Sequence, residues 1–242
     1  MSIHRKSKHR SRHKRKERLA KAYKKQIRLE IIRLSKKDIS SEYLDVPLIK
    51  PSHRLFIDGE YNDAMIGRGL WLNQNNYQEG YIGVAIRLLD LIKLSDNIAI
   101  KDSYIFVALY CFRHYLELTM KDSLIHYYKG EAAFTKVKEC GHNLLLLYKE
   151  ILKLPNVTQD ETTNTVREMI NTIQGYDPMG VTFRYPYHIN EQTGEIKTSL
   201  RPNMVLRSIR TLRTRMMQLY NFFDGINSMV HDYERNGIKY TK

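Results

Sequence analysis

From residue 79 onward, apolar residues recur every three or four positions over most of the chain. Between residues 79 and 95, for example, Ile82, Ala85, Ile86, Leu89 and Ile92 line one face of a helix. Segment 102–129 continues such a stripe and carries apolar residues on its other faces too, which predicts a central helix. The pattern predicts five helices, at residues 79–95, 102–129, 142–154, 161–174 and from 202 or 203 to about 230.

The helical pattern is interrupted after residue 180. Residues 181–189 and 195–200 are extended in character, and they flank a polar stretch, 190–194, that ends in Gly194. Glycine and its polar neighbours suit a tight reversal of the chain. A β-hairpin inserted between two helices is therefore expected near residues 181–200.

The N-terminal segment has a different composition. Residues 1–37 hold 16 of the 40 Lys and Arg but only two of the 26 Asp and Glu, so this basic arm carries +14, the whole formal net charge of the chain. Residues 4–18 contain no apolar side chain and are expected to be disordered, whereas residues 19–37 have the spacing of an amphipathic helix. Residues 38–78, with two prolines and three glycines, are expected to be irregular or extended.

A basic arm on a neutral body indicates a polyanionic partner, and RNA is expected more than DNA. Two alternatives stay open. The arm is a solubilising tail whose helix docks on the body, or it lies on a membrane surface, although it has no Trp or Phe to insert there. The residues expected to contact phosphates in the arm are Arg5, Lys6, Lys8, Arg10, Arg12, Lys14, Arg15, Lys16 and Arg18.

Composition and motifs exclude several classes of protein. No apolar run is long enough to span a bilayer, and no signal peptide begins the chain, so no membrane partner and a cytoplasmic location are expected. The two cysteines are far apart, and no P-loop, dinucleotide-binding or zinc-protease motif is present. The nine histidines are either in the arm or scattered without ligand spacing, so neither a metal site nor a cofactor is expected.

Three charges in the central helix share one face. Arg113, Glu117 and Lys121 stand at four-residue intervals among apolar neighbours, which predicts a partly buried ladder of ion pairs. Such a ladder needs further hydrogen-bond partners. The polar residues in apolar or turn contexts that are expected to complete this polar network are His142, Asp177 and Arg184, with His114 as a further member.

The motifs RHYLELTMK, GHNL, DP and FRYP, followed by a hairpin, resemble those of bacterial proteins of the HEPN-like helical superfamily. The resemblance covers about residues 79–233. It implies a compact helical bundle, often dimeric, and many such domains are ribonucleases of toxin or antiphage systems while others are inactive binding modules. The expected fold class is therefore mostly α: a HEPN-like helical bundle with a β-hairpin insertion and a basic N-terminal arm.

Active members of this superfamily carry an Arg, four to six residues, then a His, often with a Tyr two residues further on. In this chain Asn227, His231 and Tyr233 match, but Ile226 stands where the Arg is required. The pair Arg184 and His188 has only three intervening residues. The absence of an arginine at position 226 matters because RNA cleavage by attack of a 2′-hydroxyl needs both a group that transfers the proton and a cation at the phosphate.

Two functions follow from these patterns. The first is an RNA-directed protein of a bacterial stress or antiphage defence system, acting as a metal-independent endoribonuclease with a degenerate motif. The alternative is a non-catalytic module that binds nucleic acid or a partner protein and dimerises through its bundle. The candidate catalytic residues are His231, Arg113, His114 and Arg184. A stripe of Arg207, Arg210 and Arg213 on the last helix either holds an RNA backbone or is a solvated face.

Overall fold

A computed structural model describes residues 70–190, 192–199 and 208–235, together with Lys25 and Leu29. Side chains in the first helix are described from residue 76 onward. Lys25 and Leu29 are helical and exposed. The other residues of the basic arm, the segment 38–69 and Arg207 lie outside the described residues, so the expectations for them stay predictions.

The described part of the chain is mostly helical, with one small antiparallel hairpin, which confirms the predicted mostly α class with a hairpin insertion. None of its helices is long and apolar enough to cross a membrane. The elements are α1 (Leu70–Leu94), α2 (Ile98–Tyr128), α3 (Gly130–Cys140), α4 (Leu144–Ile151), α5 (Glu161–Tyr176), β1 (Tyr187–Ile189), β2 (Ile196–Thr198) and α6 (Ile209–Arg235).

Two helices differ from the sequence prediction. Helix α1 begins at Leu70, so the last part of the segment expected to be irregular is helical. Helix α3 was not expected, although Ala133, Val137 and Cys140 stand at helical spacing; it buries Ala133 and Cys140. The chain passes from α2 into α3 through Lys129 and Gly130, whose φ angles of 56° and 53° interrupt the helical backbone.

The hairpin is shorter than the pattern 181–200 indicated. Its two strands have three residues each, paired from Tyr187 opposite Thr198 to Ile189 opposite Ile196, and both strands are exposed on every residue. Residues 181–186 form turns instead of strand. Their backbone is fixed locally, because the Asp177 carboxylate accepts hydrogen bonds from the N–H groups of two of them.

The chain divides into two compact units, and each is described separately. The first contains residues 1–57 and 90–101, and the second contains residues 58–89 and 102–242. In the first unit, the Ser95 hydroxyl accepts a hydrogen bond from the Asn97 N–H at 3.1 Å, and the Asn97 side chain accepts one from the Ala99 N–H at 2.9 Å. These bonds cap the start of α2 and explain the break between α1 and α2.

The second unit packs its helices around α2 and α6. Tyr115 of α2 lies against Tyr220 of α6 with ring centroids 5.9 Å apart, and Tyr148 of α4 lies edge-on to Phe223 of α6. The Tyr148 hydroxyl donates to the carbonyl of Thr163 in α5 at 2.9 Å. Fully buried residues around the circumference of α2 make it the central helix that the sequence predicted.

Substitutions of two adjacent leucines in α4 test the packing of this core. Leu147 is 0% exposed and Leu146 is 44% exposed. We expect Leu147→Ala to lower the free energy of unfolding by about 2–5 kcal/mol, because it leaves a cavity in the core. The matched variant Leu146→Ala should cost less than about 1 kcal/mol. Urea denaturation of both variants measures the difference, and equal losses would contradict the described orientation of α4.

Candidate functional site

The Arg113 guanidinium lies inside the second unit, with only 1% of the side chain exposed. Its Nη1 is 2.8 Å from Oε2 of Glu117, one helical turn further along α2. Nη2 donates to the carbonyl of His142 at 2.7 Å, and Nε donates to the carbonyl of Asp177 at 3.1 Å. Arg113 thus joins α2 to the turn before α4 and to the end of α5.

Glu117 is the acceptor at the centre of this network. Its Oε1 accepts a hydrogen bond from Lys121 Nζ at 2.7 Å and lies 2.8 Å from His142 Nδ1. Burial alone would raise the pKa of the Glu117 carboxyl, but hydrogen bonds from Lys121, Arg113 and His142 outweigh it and lower the pKa to about 2. The carboxylate therefore stays ionised although it is buried.

Asp177 completes the network from the C-terminus of α5. Its side chain is fully buried, with Oδ2 3.4 Å from Arg113 Nε. Its Oδ1 accepts from the N–H groups of Val181 and Thr182 at 2.7 and 2.9 Å. The turn includes Gly180 at φ 73°, where an added Cβ would stand 3.0 Å from Arg113 Nη1. The network therefore also shapes the loop that leads to the hairpin.

The structure brings together Arg113, Glu117 and Lys121, which the four-residue spacing grouped, with His142 and Asp177, which were expected from their sequence contexts to complete the network. Arg184 is held differently. Its Nε donates to the Gly180 carbonyl at 2.7 Å, and its guanidinium lies over the rings of Tyr110 and Tyr185 at 5.6 and 5.5 Å.

His114 faces away from the ion network, toward α1. Its ring lies 4.6 Å from that of Tyr81 and stacks on Tyr110 at 5.8 Å. Burial lowers the pKa of His114 below its usual value. His114, Tyr81, the exposed Tyr77 and Lys121 line an open groove of about 320 Å³.

His231 belongs to a second polar cluster, farther along α2. Its Nε2 is 3.9 Å from Asp122 Oδ2, and its ring lies 4.3 Å from that of His126. His126 Nε2 is 3.5 Å from Asp122 Oδ1, while His126 Nδ1 is 2.9 Å from Glu234 Oε2. The Asp122 and Glu234 carboxylates raise the pKa of His126 against the opposing effect of burial. We call Asp122, His126 and His231 the histidine cluster.

The residues beside His231 in the HEPN-like motif serve packing. Ile226, at the place of the motif's arginine, is buried in the core. Asn227 ties α6 to α2, since its Nδ2 donates to Thr119 Oγ1 at 2.9 Å and its Oδ1 accepts from the Ser123 hydroxyl. This part of the motif holds the two helices together.

The candidate catalytic residues do not form one site. Arg113 precedes Asp122, the neighbour of His231, by nine residues of α2, which is about 14 Å of helix rise. Arg184 contacts Tyr110, which is still farther from Asp122 along the same helix. On α6, Arg210 is exposed and Arg213 half-buried, and they lie about six and five turns before His231, respectively.

The expectation that the histidines are scattered without ligand spacing is wrong for His126 and His231. Asp122 and His126 are one helical turn apart, a spacing visible in the sequence. His231 follows 105 residues later, so only the packing of α6 on α2 brings it to them. The i, i+4 pair of Asp and His was the available signal, and it was missed.

The chain matches no protein-family model, no curated protein and no solved structure. The HEPN-like resemblance therefore stays a prediction from the sequence motifs.

Glu117 predicts a pH dependence of stability. Its folded-state pKa of about 2 lies below the ordinary 4.5, so its ionised form stabilises the fold above about pH 4.5, and this contribution is lost as the pH falls toward 2. Glu117→Gln should lower stability at neutral pH by roughly 3–5 kcal/mol, because Arg113 loses its counter-charge, and should flatten the acid decline. Urea denaturation across this pH range measures both effects.

The exposed Glu139 supplies the control for that experiment. Glu139→Gln should keep the wild-type pH profile, because this side chain is largely in solvent. A Glu117→Gln profile that runs parallel to the wild type would contradict the assignment of the acid dependence to this carboxylate.

Two glycines with similar backbones test the crowding around Arg113. Gly180 and Gly194 have φ angles of 73° and 69°, but an added Cβ meets Arg113 only at Gly180. Ala at either position costs about 1–2 kcal/mol of backbone strain. We expect Gly180→Ala to cost at least about 1 kcal/mol more, as the buried guanidinium must shift. Thermal denaturation measures the difference in stability between Gly180→Ala and Gly194→Ala. Equal losses would show that the Arg113 side chain can move without cost and would contradict the expected crowding.

Proposed function

We propose that this chain is a non-catalytic RNA-binding module of a bacterial stress or antiphage system, built on a HEPN-like helical bundle. The observation that carries the proposal is the enclosure of Arg113. The candidate cation for phosphate chemistry is 1% exposed, and its hydrogen bonds go to the protein itself. Its role is to hold the second unit together, which leaves RNA contact to other parts of the chain.

The chemistry of cleavage supports the same choice. A ribonuclease of this type needs a cation beside the histidine that moves the proton. Ile226 occupies the motif position that the arginine would hold, and it is a core residue. The side-chain amide of Asn227, the next residue, is hydrogen-bonded to Thr119 and Ser123. The surroundings of the motif are built for packing between α2 and α6.

The distribution of charge supports RNA binding through the arm. Residues 1–37 carry the full +14, and the rest of the chain has 24 basic and 24 acidic residues. Lys and Arg bind a phosphate backbone by releasing its counterions, without need of a particular geometry. In the body, the groove lined by Tyr77 and Tyr81 offers aromatic rings to an unpaired base.

A ribonuclease is the second candidate, and one observation favours it. The rings of His126 and His231 lie 4.3 Å apart, and both side chains are partly exposed, so a substrate hydroxyl can reach them. Two adjacent imidazoles can act as general base and general acid. In this version the missing cation comes from a second copy of the chain in a dimer.

Salt-dependent RNA binding tests the proposal. We expect the full chain to bind a fluorescently labelled single-stranded RNA with a steep dependence on salt. If all nine basic residues between positions 5 and 18 bind phosphates, the slope of log K against log salt approaches about −6. Replacing the nine by Gln should remove most of this slope and most of the affinity, as measured by fluorescence anisotropy.

A variant with the residues 4–18 in scrambled order is the matched control, and it should bind like the wild type, because the contacts depend on charge alone. Unchanged affinity in the Gln variant would overturn the role of the arm. The same RNA is followed by gel electrophoresis in chelator-containing buffer. Cleavage by the wild type that is lost in His231→Ala would replace the module by the ribonuclease.

A further inference from the structure

The histidine cluster has the composition of a transition-metal site. Asp122 and His126 stand one turn apart on α2, and His231 reaches them from α6. One potential ligand atom from each residue lies within 4.8 Å of the other two. We propose that Asp122, His126 and His231 bind a divalent transition-metal ion of the Zn²⁺ class. The proposal is independent of RNA binding by the arm.

The distances are close to those of a formed site. Zn²⁺ holds imidazole nitrogens and carboxylate oxygens at about 2.0–2.2 Å, so neighbouring ligands in a tetrahedral site are about 3.3 Å apart. In the cluster, His126 Nε2 is 3.5 Å from Asp122 Oδ1, and His231 Nε2 is 3.9 Å from Asp122 Oδ2. These two distances exceed that tetrahedral spacing by about 0.2 and 0.6 Å.

The buried carboxylate of Asp122 provides a second observation that favours a bound cation. The residue is only 4% exposed, yet within the part of the chain that the structure describes its buried Oδ1 accepts no hydrogen bond. A buried carboxylate oxygen without a hydrogen bond is costly, because it has lost its contact with water. The oxygen lies 3.5 Å from His126 Nε2. A metal ion there would satisfy it.

Glu234 orients His126 for this role. An ionised carboxylate only accepts hydrogen bonds, so the 2.9 Å contact between Glu234 Oε2 and His126 Nδ1 places a proton on Nδ1. In the neutral ring, Nε2 then has a lone pair, and this lone pair faces the Asp122 oxygen. A carboxylate that fixes one ring nitrogen while the other binds metal is a recurrent arrangement in zinc proteins. Lys129 holds Glu234 from the other side, at 3.1 Å.

The ligand set also selects the metal. Two imidazoles and one carboxylate suit Zn²⁺ and its neighbours in the first transition row, whereas Ca²⁺ and Mg²⁺ prefer oxygen ligands throughout. Three protein ligands leave a fourth position for water or another donor. The half-exposed histidines leave this position accessible from solvent. A bound ion would also connect α2 with α6, and so it should stabilise the fold.

Zinc binding to the full chain tests the proposal. The arm histidines His4, His9 and His13 are first replaced by Ala, so that they cannot contribute binding of their own. Zn²⁺ is then titrated calorimetrically, and the melting temperature is followed in parallel. We expect one Zn²⁺ per chain and a melting temperature that rises with Zn²⁺ concentration. The absence of saturable binding would overturn the proposal.

Variants locate the ion. His126→Ala and His231→Ala should each weaken Zn²⁺ binding at least about 100-fold and abolish the thermal shift, because two remaining ligands hold zinc poorly. Glu234→Gln should weaken it about 10–100-fold through loss of ring orientation. The matched control is His188→Ala, at an exposed position of β1, which should bind like its parent. Circular dichroism confirms that each variant is folded. Zinc affinity that survives either His126→Ala or His231→Ala would place the ion elsewhere and overturn the proposal.

Discussion

The buried guanidinium of Arg113 sets the conditions for the structure around it. A charge removed from water is tolerated only where counter-charges and acceptors surround it closely. Glu117 supplies the charge from the next turn of α2, and the carbonyls of His142 and Asp177 supply acceptors from segments distant in sequence. The turn before α4, the end of α5 and the loop to the hairpin are therefore positioned by one side chain. Removing either Arg113 or Glu117 leaves the other charge buried without this partner, so the network tolerates substitution poorly.

Much of the fold and of this network could be predicted because both depend on local spacing. The long helices follow from apolar periodicity, and the ladder of Arg113, Glu117 and Lys121 follows from their four-residue intervals. Helix α3 was missed although five of its 11 residues are apolar, and the hairpin was overestimated because Asp177 turns the backbone of residues 181 and 182. The cluster around His231 depends on the packing of α6 on α2, which brings together His126 and His231, 105 residues apart in sequence, and which spacing does not reveal.

Helix α2 thus carries two polar centres with opposite relations to solvent. In the first, the Arg113 and Glu117 side chains are buried and hydrogen-bonded to each other. In the second, the side chains of His126 and His231 are 27% and 30% exposed beside the buried Asp122. The proposed roles follow from this contrast: the basic arm contacts RNA, the network around Arg113 stabilises the second unit, and the histidine cluster binds a metal ion.

A double-mutant cycle between Arg113 and Glu117 tests most directly whether the network around Arg113 has a structural role. The variants Arg113→Met, Glu117→Met and their combination are compared with the wild type by urea denaturation, and RNA binding is measured on each. Either single variant is expected to cost about 3–5 kcal/mol, the double variant to cost less than the sum of the two because the Arg113–Glu117 pair is lost only once, and RNA affinity per folded molecule to be unchanged. Additive losses, or an Arg113→Met variant that stays stable but no longer binds RNA, would contradict this structural role.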